Sequence, residues 1–230
     1  MIDLDGLAGG LIVSCQARDD NPLHGPAFMR AMAIAAELGG AVGIRAQGVA
    51  DVAAIRSAVR LPIIGIRKIL DGRPVYITPT FETAAEIVAA GADIVALDAT
   101  SREREGGVSA PDLIRRIRQE LGVRVMADVD DLPSGIAAAD AGADLVATTL
   151  SGYTSGVTPR DPDLGLITSL SKSIGGPVIA EGRLWTEEDV RAAFGAGAWA
   201  VVVGTAITNP TRITARFVAG TPHQEGASRG

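Results

Sequence analysis

The sequence predicts a single (β/α)8 barrel, and three observations carry that prediction. Short β-branched runs alternate with Ala-rich, 3.6-periodic segments along the whole 230-residue chain, the pattern of parallel strands joined by crossover helices. The runs number eight. A Gly-Ala pair also recurs about every 50 residues, as Gly40-Ala41, Gly91-Ala92, Gly142-Ala143 and Gly197-Ala198, each between a helix and an even-numbered strand. Two βα units passing four times return the eightfold count. An open doubly wound sheet is the competing architecture, and an ordinary helix C-cap is the competing reading of the glycines.

The elements follow in order. The first strand is expected at Leu11 to Cys15, with a helix over Ala27 to Leu38 and a second strand at Val42 to Arg45. A helix over Val49 to Val59 leads to the third strand, Ile63 to Arg67. Thr80 with Glu82 marks the start of a helix over Phe81 to Ala90, which leads to the fourth strand, Ile94 to Leu97. The helix Pro111 to Leu121 precedes the fifth strand, Arg124 to Ala127, and the sixth and seventh are Leu145 to Thr148 and Val178 to Ala180. Thr186, with Glu187 and Glu188 behind it, caps a helix over Glu187 to Phe194 before the eighth strand, Ala200 to Val203. The strands are apolar nearly throughout, as strands covered on both faces are. Residues 1–220 then form one barrel domain, and the polar, aperiodic stretch 221–230 reads as a mobile tail.

A hydrophobic content of 47% suffices for a sizeable core. Aromatics at 3% and a net charge of -6 argue against nucleic acid as a partner, while leaving room for one phosphate held by local geometry. The single cysteine, Cys15, excludes an internal disulfide and fits the reducing cytoplasm. Asp3 and Asp5 near the start, no basic leader and no apolar run of bilayer length point away from secretion and from membranes. His24 and His223 stand at no metal-ligand spacing from Cys15 or from clustered carboxylates, so no metal centre is expected, although Asp98 and Asp128 remain open as loose oxygen ligands. Neither a Gly-x-Gly-x-x-Gly after the first strand nor a P-loop is present.

Barrel chemistry comes from the carboxyl ends of the strands. Here those ends carry Ser14 and Gln16, Arg45, Lys68, Asp98 and Thr100, Asp128, Thr149 and Ser151, Glu181 and Arg183, then Gly204 and Thr205. Of the 21 Lys and Arg residues, Lys68 and Lys172 are the only lysines, and an arginine cannot give up its proton at neutral pH. At the end of a buried strand Lys68 is placed to be partly desolvated, which depresses an amine's pKa and suits it to abstract a proton beside a carbonyl or to form a Schiff base. The bland alternative is a surface lysine lying along the rim. Glu181 offers acid-base chemistry, or else a salt bridge to Arg45 or Arg183, and Asp128 poses the same choice. Gly182-Arg183 and Gly204-Thr205 follow the last two strands, where many barrels of the phosphate-binding type hold a phosphate on backbone N–H groups.

Several stretches together resemble one family. They include Gly10-Leu11-Ile12-Val13-Ser14-Cys15-Gln16, Gly43-Ile44-Arg45-Ala46, Tyr76-Ile77-Thr78-Pro79-Thr80, Ile94-Val95-Ala96-Leu97-Asp98-Ala99-Thr100, Met126-Ala127-Asp128, Val178-Ile179-Ala180-Glu181-Gly182-Arg183 and Val203-Gly204-Thr205-Ala206. Their order and wording are similar to the N-acetylmannosamine-6-phosphate 2-epimerases, over nearly the whole chain to about Phe217. That resemblance implies a TIM barrel enzyme interconverting N-acetylmannosamine 6-phosphate and N-acetylglucosamine 6-phosphate in amino-sugar and sialic acid catabolism, without an organic cofactor, as a homodimer. It implies Lys68 and Glu181 as catalytic residues and Gln16, Arg45 and Asp128 as substrate contacts. Thr149 and Ser151 are expected to join those contacts, and Gly182, Arg183, Gly204 and Thr205 fall on the phosphate-holding loops. Arg67, Gln47 and Trp185 depart from the family pattern; Arg67 is expected to point into the helix layer, away from the Lys68 amine. Two further readings stay open: a Schiff-base aldolase or lyase on a related sugar phosphate, and a non-catalytic sugar-phosphate-binding barrel.

Overall fold

The computed structural model describes residues 2–154, 156 and 158–222, apart from the side chain of Glu105. Of the expected tail, residues 223–230, His223 among them, lie outside the described residues. The strands are β1 (Leu11–Cys15), β2 (Gly43–Gln47), β3 (Ile63–Ile66), β4 (Ile94–Asp98), β5 (Arg124–Asp128), β6 (Leu145–Ala147), β7 (Val178–Glu181) and β8 (Ala200–Val203). Neighbours in sequence pair in parallel, and β1 pairs with β8 in the register Leu11↔Val201, so the sheet closes and the open-sheet alternative falls. The helices are α1 (Pro26–Leu38), α2 (Val49–Arg56), α3 (Phe81–Ala89), α4 (Ala110–Leu121), α5 (Leu132–Asp140), α6 (Leu164–Ser173), α7 (Glu187–Gly195), α8 (Thr205–Thr208) and α9 (Pro210–Val218).

Some boundaries differ from those read in the sequence, for a reason in the backbone. β4, β5 and β7 run past their apolar stretches and take in Asp98, Asp128 and Glu181, because the ladder continues in the pairs Asp98↔Asp128 and Glu181↔Val202. Pairing is a main-chain matter and does not stop where apolarity stops. β3 ends earlier than expected, at Ile66, since Arg67 turns away to pair with Thr78 in the following loop. β6 stops at Ala147, short of Thr148, whose hydroxyl is bonded to the backbone of Glu181.

The four Gly-Ala pairs share one conformation. Each glycine has a positive φ of 90° to 107°. In the first, Gly40 N–H donates to Glu37 O and Ala41 N–H to Ala36 O, both at 3.0 Å, and the same crossed pair recurs at Gly91-Ala92, Gly142-Ala143 and Gly197-Ala198. This is a Schellman ending, which satisfies the last carbonyls of α1, α3, α5 and α7 and redirects the chain into the next strand. At two of these corners the following aspartate extends the join. Asp93 accepts from Ile63 N and from Arg56, each at 2.9 Å, and Asp144 accepts from Val125 N at 2.9 Å and from Arg124 at 2.7 Å. Thr80 and Thr186 cap α3 and α7 through the amides of Thr83 and Asp189.

The core divides in two. Inside the barrel, Ile12, Ile64, Ile66, Ile94, Met126, Leu145, Ile179 and Val202 fill the lumen, and Leu7, fully buried in a 3-10 turn at Asp5–Leu7, closes its lower end. Outside, the alternate residues of each strand meet the helices, as with Val95, Leu97, Val125 and Ala127 against Leu113, Ile114 and Ile117 of α4. Full burial of each such aliphatic side chain contributes about 1.5–3 kcal/mol. Gly65 lets α3 approach β3: a Cβ there would lie 2.2 Å from Ile87 Cγ2. Among the described residues, no helix is long and apolar enough to cross a membrane.

Candidate active site at the barrel mouth

Side-chain alternation, continued upward from the lumen, builds the site. Ile12, Ile64, Ile94, Met126, Leu145 and Ile179 point inward, so alternate residues farther along toward the rim do too, and Gly43, where a Cβ would meet Leu7 and Ile12 of the lumen, sets the same parity on β2. That parity brings Gln16, Arg45, Lys68, Asp98, Asp128, Thr149 and Glu181 to the inner face of one rim. Arg67, of opposite parity, meets Glu86 of α3 at 3.4 Å, as its place in the strand predicted.

Arg45 is the centre of this layer. Its side chain is 1% exposed, and it donates from Nη1 to Asp128 Oδ1 at 3.0 Å and from Nη2 to Asp128 Oδ2 at 2.5 Å, a two-pronged bond. Nη1 also lies 2.9 Å from Glu181 Oε2. Burial alone would draw the guanidinium's pKa down, but Asp128 and Glu181 outweigh it and hold Arg45 above its ordinary value. The salt bridge that the sequence offered as the bland alternative for Glu181 therefore exists, and Asp128 shares the same cation.

The Thr149 hydroxyl stands between the two carboxylates, 2.7 Å from Asp128 Oδ1 and 3.0 Å from Glu181 Oε2. It has one hydrogen and cannot donate to both. Burial pushes the Glu181 carboxyl up to about 7, with Arg45 opposing and Asp128 reinforcing the shift. Glu181 is accordingly the member able to carry a proton near neutrality and to donate it to Thr149 while Thr149 donates to Asp128.

Lys68 faces this cluster from β3. Its Nζ donates to Gln16 Oε1 at 2.7 Å, and Gln16 Nε2 donates to Ser14 Oγ at 2.7 Å. Burial and then Arg45 lower the amine to about 8; Glu181 opposes them, Arg18 adds to the lowering, and Asp128 opposes it. Lys68 is a half-buried residue of the mouth, its amine bonded to Gln16. Lys68 stands beyond the end of β3, in an isolated antiparallel bridge with Ile77.

The remaining candidates form a second group. Gly182 (φ 110°) and Arg183 (φ 61°) follow β7, and Gly204 opens α8 beside β8, close enough to Ser14 that a Cβ would lie 3.2 Å from Ser14 Cβ. The Arg183 guanidinium donates to Asp161 O at 2.6 Å and to Ser151 O, and lies 5.5 Å above the Tyr153 ring. It thus fastens the segment after β6. The Ser151 hydroxyl donates to Asp163, the N-cap of α6, at 2.6 Å, so it is engaged outside the Arg45 cluster. Trp185 turns toward α9, with Arg216 5.2 Å above its ring.

The two carboxylates left open as cation ligands are both held by arginines: Asp98 accepts from Arg102 at 2.5 Å and from Thr100, and Asp128 from Arg45. Among the described residues, no three His, Cys, Asp or Glu side chains converge as metal ligands. Sequence reading treated Thr78 and Tyr76 only as parts of one motif and gave neither a role. Thr78 is fully buried beside Lys68, and Tyr76, a half-buried phenol whose pKa burial raises, lies within electrostatic reach of Arg102, Asp128 and Asp98. Parity counted through the loop would not have found them, because the chain reverses there.

A family model described as "Putative N-acetylmannosamine-6-phosphate epimerase" matches residues 29–222. A protein of Caldanaerobacter subterraneus subsp. tengcongensis, described as "Putative N-acetylmannosamine-6-phosphate 2-epimerase", is 50% identical over 216 residues, spanning 92% of this chain and 91% of the relative. One of Cutibacterium acnes with the same description is 51% identical over 214 residues, spanning 92% and 93%. The solved structure of the N-acetylmannosamine-6-phosphate 2-epimerase from Clostridium perfringens superposes with a TM-score of 0.90 at 45% identity, covering 94% of this chain and 95% of that one.

Proposed function

Because the chain belongs to the N-acetylmannosamine-6-phosphate 2-epimerase family, we propose that it interconverts N-acetylmannosamine 6-phosphate and N-acetylglucosamine 6-phosphate by removing and returning the proton on carbon 2. The observation that carries this reading is the pairing of Lys68 with Glu181. They rise from β3 and β7, four strands apart in a closed ring of eight, face the same lumen, and have both been moved toward neutrality, to about 8 and about 7. An amine and a carboxyl on opposite sides of one sugar can work on opposite faces of its carbon 2.

In the open-chain sugar, carbon 2 stands beside the carbon 1 aldehyde. Neutral Lys68 takes the carbon 2 proton, the electron pair moves into a carbon 1–carbon 2 double bond, and the aldehyde oxygen becomes an enolate. Protonated Glu181 then delivers a proton to the other face, and the double bond returns to the carbonyl. In the reverse direction the two exchange roles. Arg45 supplies fixed positive charge beside the developing anion, and Gln16, Asp128 and Thr149 hold the groups around it. Gly182, Arg183, Gly204 and Thr205 hold the phosphate by backbone N–H groups at the ends of β7 and β8, and Ser151 shapes that edge through Asp163. No organic cofactor has a part in these steps.

The enzyme is read as a cytoplasmic homodimer of amino-sugar and sialic acid breakdown, with neither nucleic acid nor membrane as a partner. The net charge of -6 and the buried Cys15 thiol, pushed up to about 12 by burial, support that reading. So does α9, which buries none of its own residues and leaves Phe217 76% exposed. The test is a proton NMR spectrum of N-acetylmannosamine 6-phosphate with the enzyme in deuterated water. Loss of the carbon 2 proton signal with growth of the second epimer is expected; conversion without exchange, or no conversion, overturns the mechanism or the activity respectively. Borohydride inactivation that depends on substrate would instead mark a Schiff base on Lys68.

A further inference from the structure

We infer that Thr78 is a positioning residue for Lys68, tying the segment that carries the amine to β4 through its buried hydroxyl. This rests on the proton-transfer role given to Lys68 above. Thr78 has φ 44°, and it and Arg183 are the two non-glycine residues with positive φ among those described. A β-branched side chain is the least suited to that region, and such strain is kept where the surrounding structure over-determines it, often at a working site. Glycine would relieve the strain, but glycine has no hydroxyl.

The hydroxyl is in use on both sides. It donates to Ala96 O of β4 at 2.7 Å and accepts from Arg67 N at 3.1 Å. The Thr78 amide also donates to Arg67 O at 2.7 Å. Both peptide groups of Arg67 therefore end on Thr78, and the second of them is the peptide that joins Arg67 to Lys68. This matters because the β3–β4 ladder covers only Ile64↔Ile94 and Gly65↔Val95, and β3 itself stops at Ile66. Past that point the course of the chain relies on the bridge Lys68↔Ile77, the bond from Ile69 N to Tyr76 O at 2.9 Å, and Thr78. On the far side the Lys68 amine reaches Gln16 of the β1 end at 2.7 Å. Thr78 thus sets the backbone and Gln16 receives the tip.

Losing the hydroxyl should let the segment shift, and a misplacement near 1 Å costs about 100-fold in rate. Thr78→Val, which keeps the shape, and Thr78→Gly, which relieves the backbone, are both expected to lower kcat by about 10- to 100-fold with KM within about threefold of the parent. Thr78→Ser should hold kcat within about threefold. A readout independent of turnover is available because the chain has only Lys68 and Lys172 as lysines. Reductive 13C-methylation gives each lysine its own NMR signal, and Lys172, on α6, serves as the control. Lys68 titrates among Arg45, Glu181, Arg18 and Asp128. In Thr78→Val and Thr78→Gly its midpoint should rise toward that of an exposed amine as burial is lost, while Lys172 stays put. Variants that lose thermal stability yet keep kcat, and whose Lys68 midpoint is unmoved, would show a merely structural threonine and overturn the inference. Should Thr78→Val not fold, Thr78→Gly with parental kcat does the same. A parent enzyme that fails to epimerise defeats the proposed function instead, and the Lys68 titration still decides the placement.

Discussion

Activity should pass through a narrow maximum near pH 7.5 if Lys68 and Glu181 share the proton traffic. Lys68 acts as a base only when neutral, a form that fades as the pH falls below about 8. Glu181 acts as an acid only when protonated, a form that fades as the pH rises above about 7. For two groups with those values, the form with neutral lysine and protonated glutamate makes up about 6% of the enzyme at pH 7.5, and kcat/KM falls about sixfold at pH 6 and pH 9 and about 20-fold at pH 9.5. The opposite form, with lysine charged and glutamate ionised, is more abundant but has the same pH dependence, so both directions of the reaction should show one bell. Initial rates from pH 6 to 10, with the two epimers separated chromatographically, give the profile. Glu181→Gln should remove the high-pH decline from whatever exchange activity survives. A parent profile that rises to a plateau above pH 8 would remove Glu181 as a proton donor, and a single rise with its midpoint near 10 would mean that Lys68 is an ordinary lysine.

Further outcomes follow from the same geometry. Lys68→Arg keeps the charge, but with a pKa above about 12 its neutral fraction is too small for a base, so turnover should fall more than a thousandfold with little change in thermal midpoint; activity within tenfold of the parent refutes the role. Glu181→Gln should still wash solvent deuterium into one epimer without forming the other, whereas loss of exchange as well would shift Glu181 to ring opening. Arg45→Met strands Asp128 and Glu181 without their cation and should cost about 3–5 kcal/mol in denaturant unfolding, with part recovered by adding Asp128→Asn. A sulfate or phosphate soaked into crystals should settle against Gly182-Arg183 and Gly204-Thr205, and one bound only at the opposite face would overturn that assignment.

The barrel was legible because its strands are nearly continuous apolar runs and its helices end on repeated glycines, both signals local to the chain. Most mouth residues were legible for a related reason: a polar residue directly after such a run has few other places to stand. What the sequence left undecided was partnership. Glu181 was read as either an acid or a salt-bridge partner of Arg45 or Arg183, and the structure makes it neighbour to Arg45 and Thr149 while burial still raises its carboxyl. The Arg183 guanidinium and the Ser151 hydroxyl turn to the chain after β6, bonds across some ten to thirty positions that no spacing announces. Thr78 was quoted in a motif but given no role, because a left-handed threonine looks, in sequence, like any threonine.

The four Schellman corners have a consequence for how the molecule tolerates change. One rim repeats itself: the same joint is made four times, at Gly40, Gly91, Gly142 and Gly197, each ending its own helix on a positive φ that favours glycine. The other rim is singular, since Arg45, Lys68 and Glu181 each appear once and none has an understudy. Substitution is therefore constrained at both edges of the barrel, by backbone conformation below and by side-chain chemistry above, and is freest on the exposed helix faces between them.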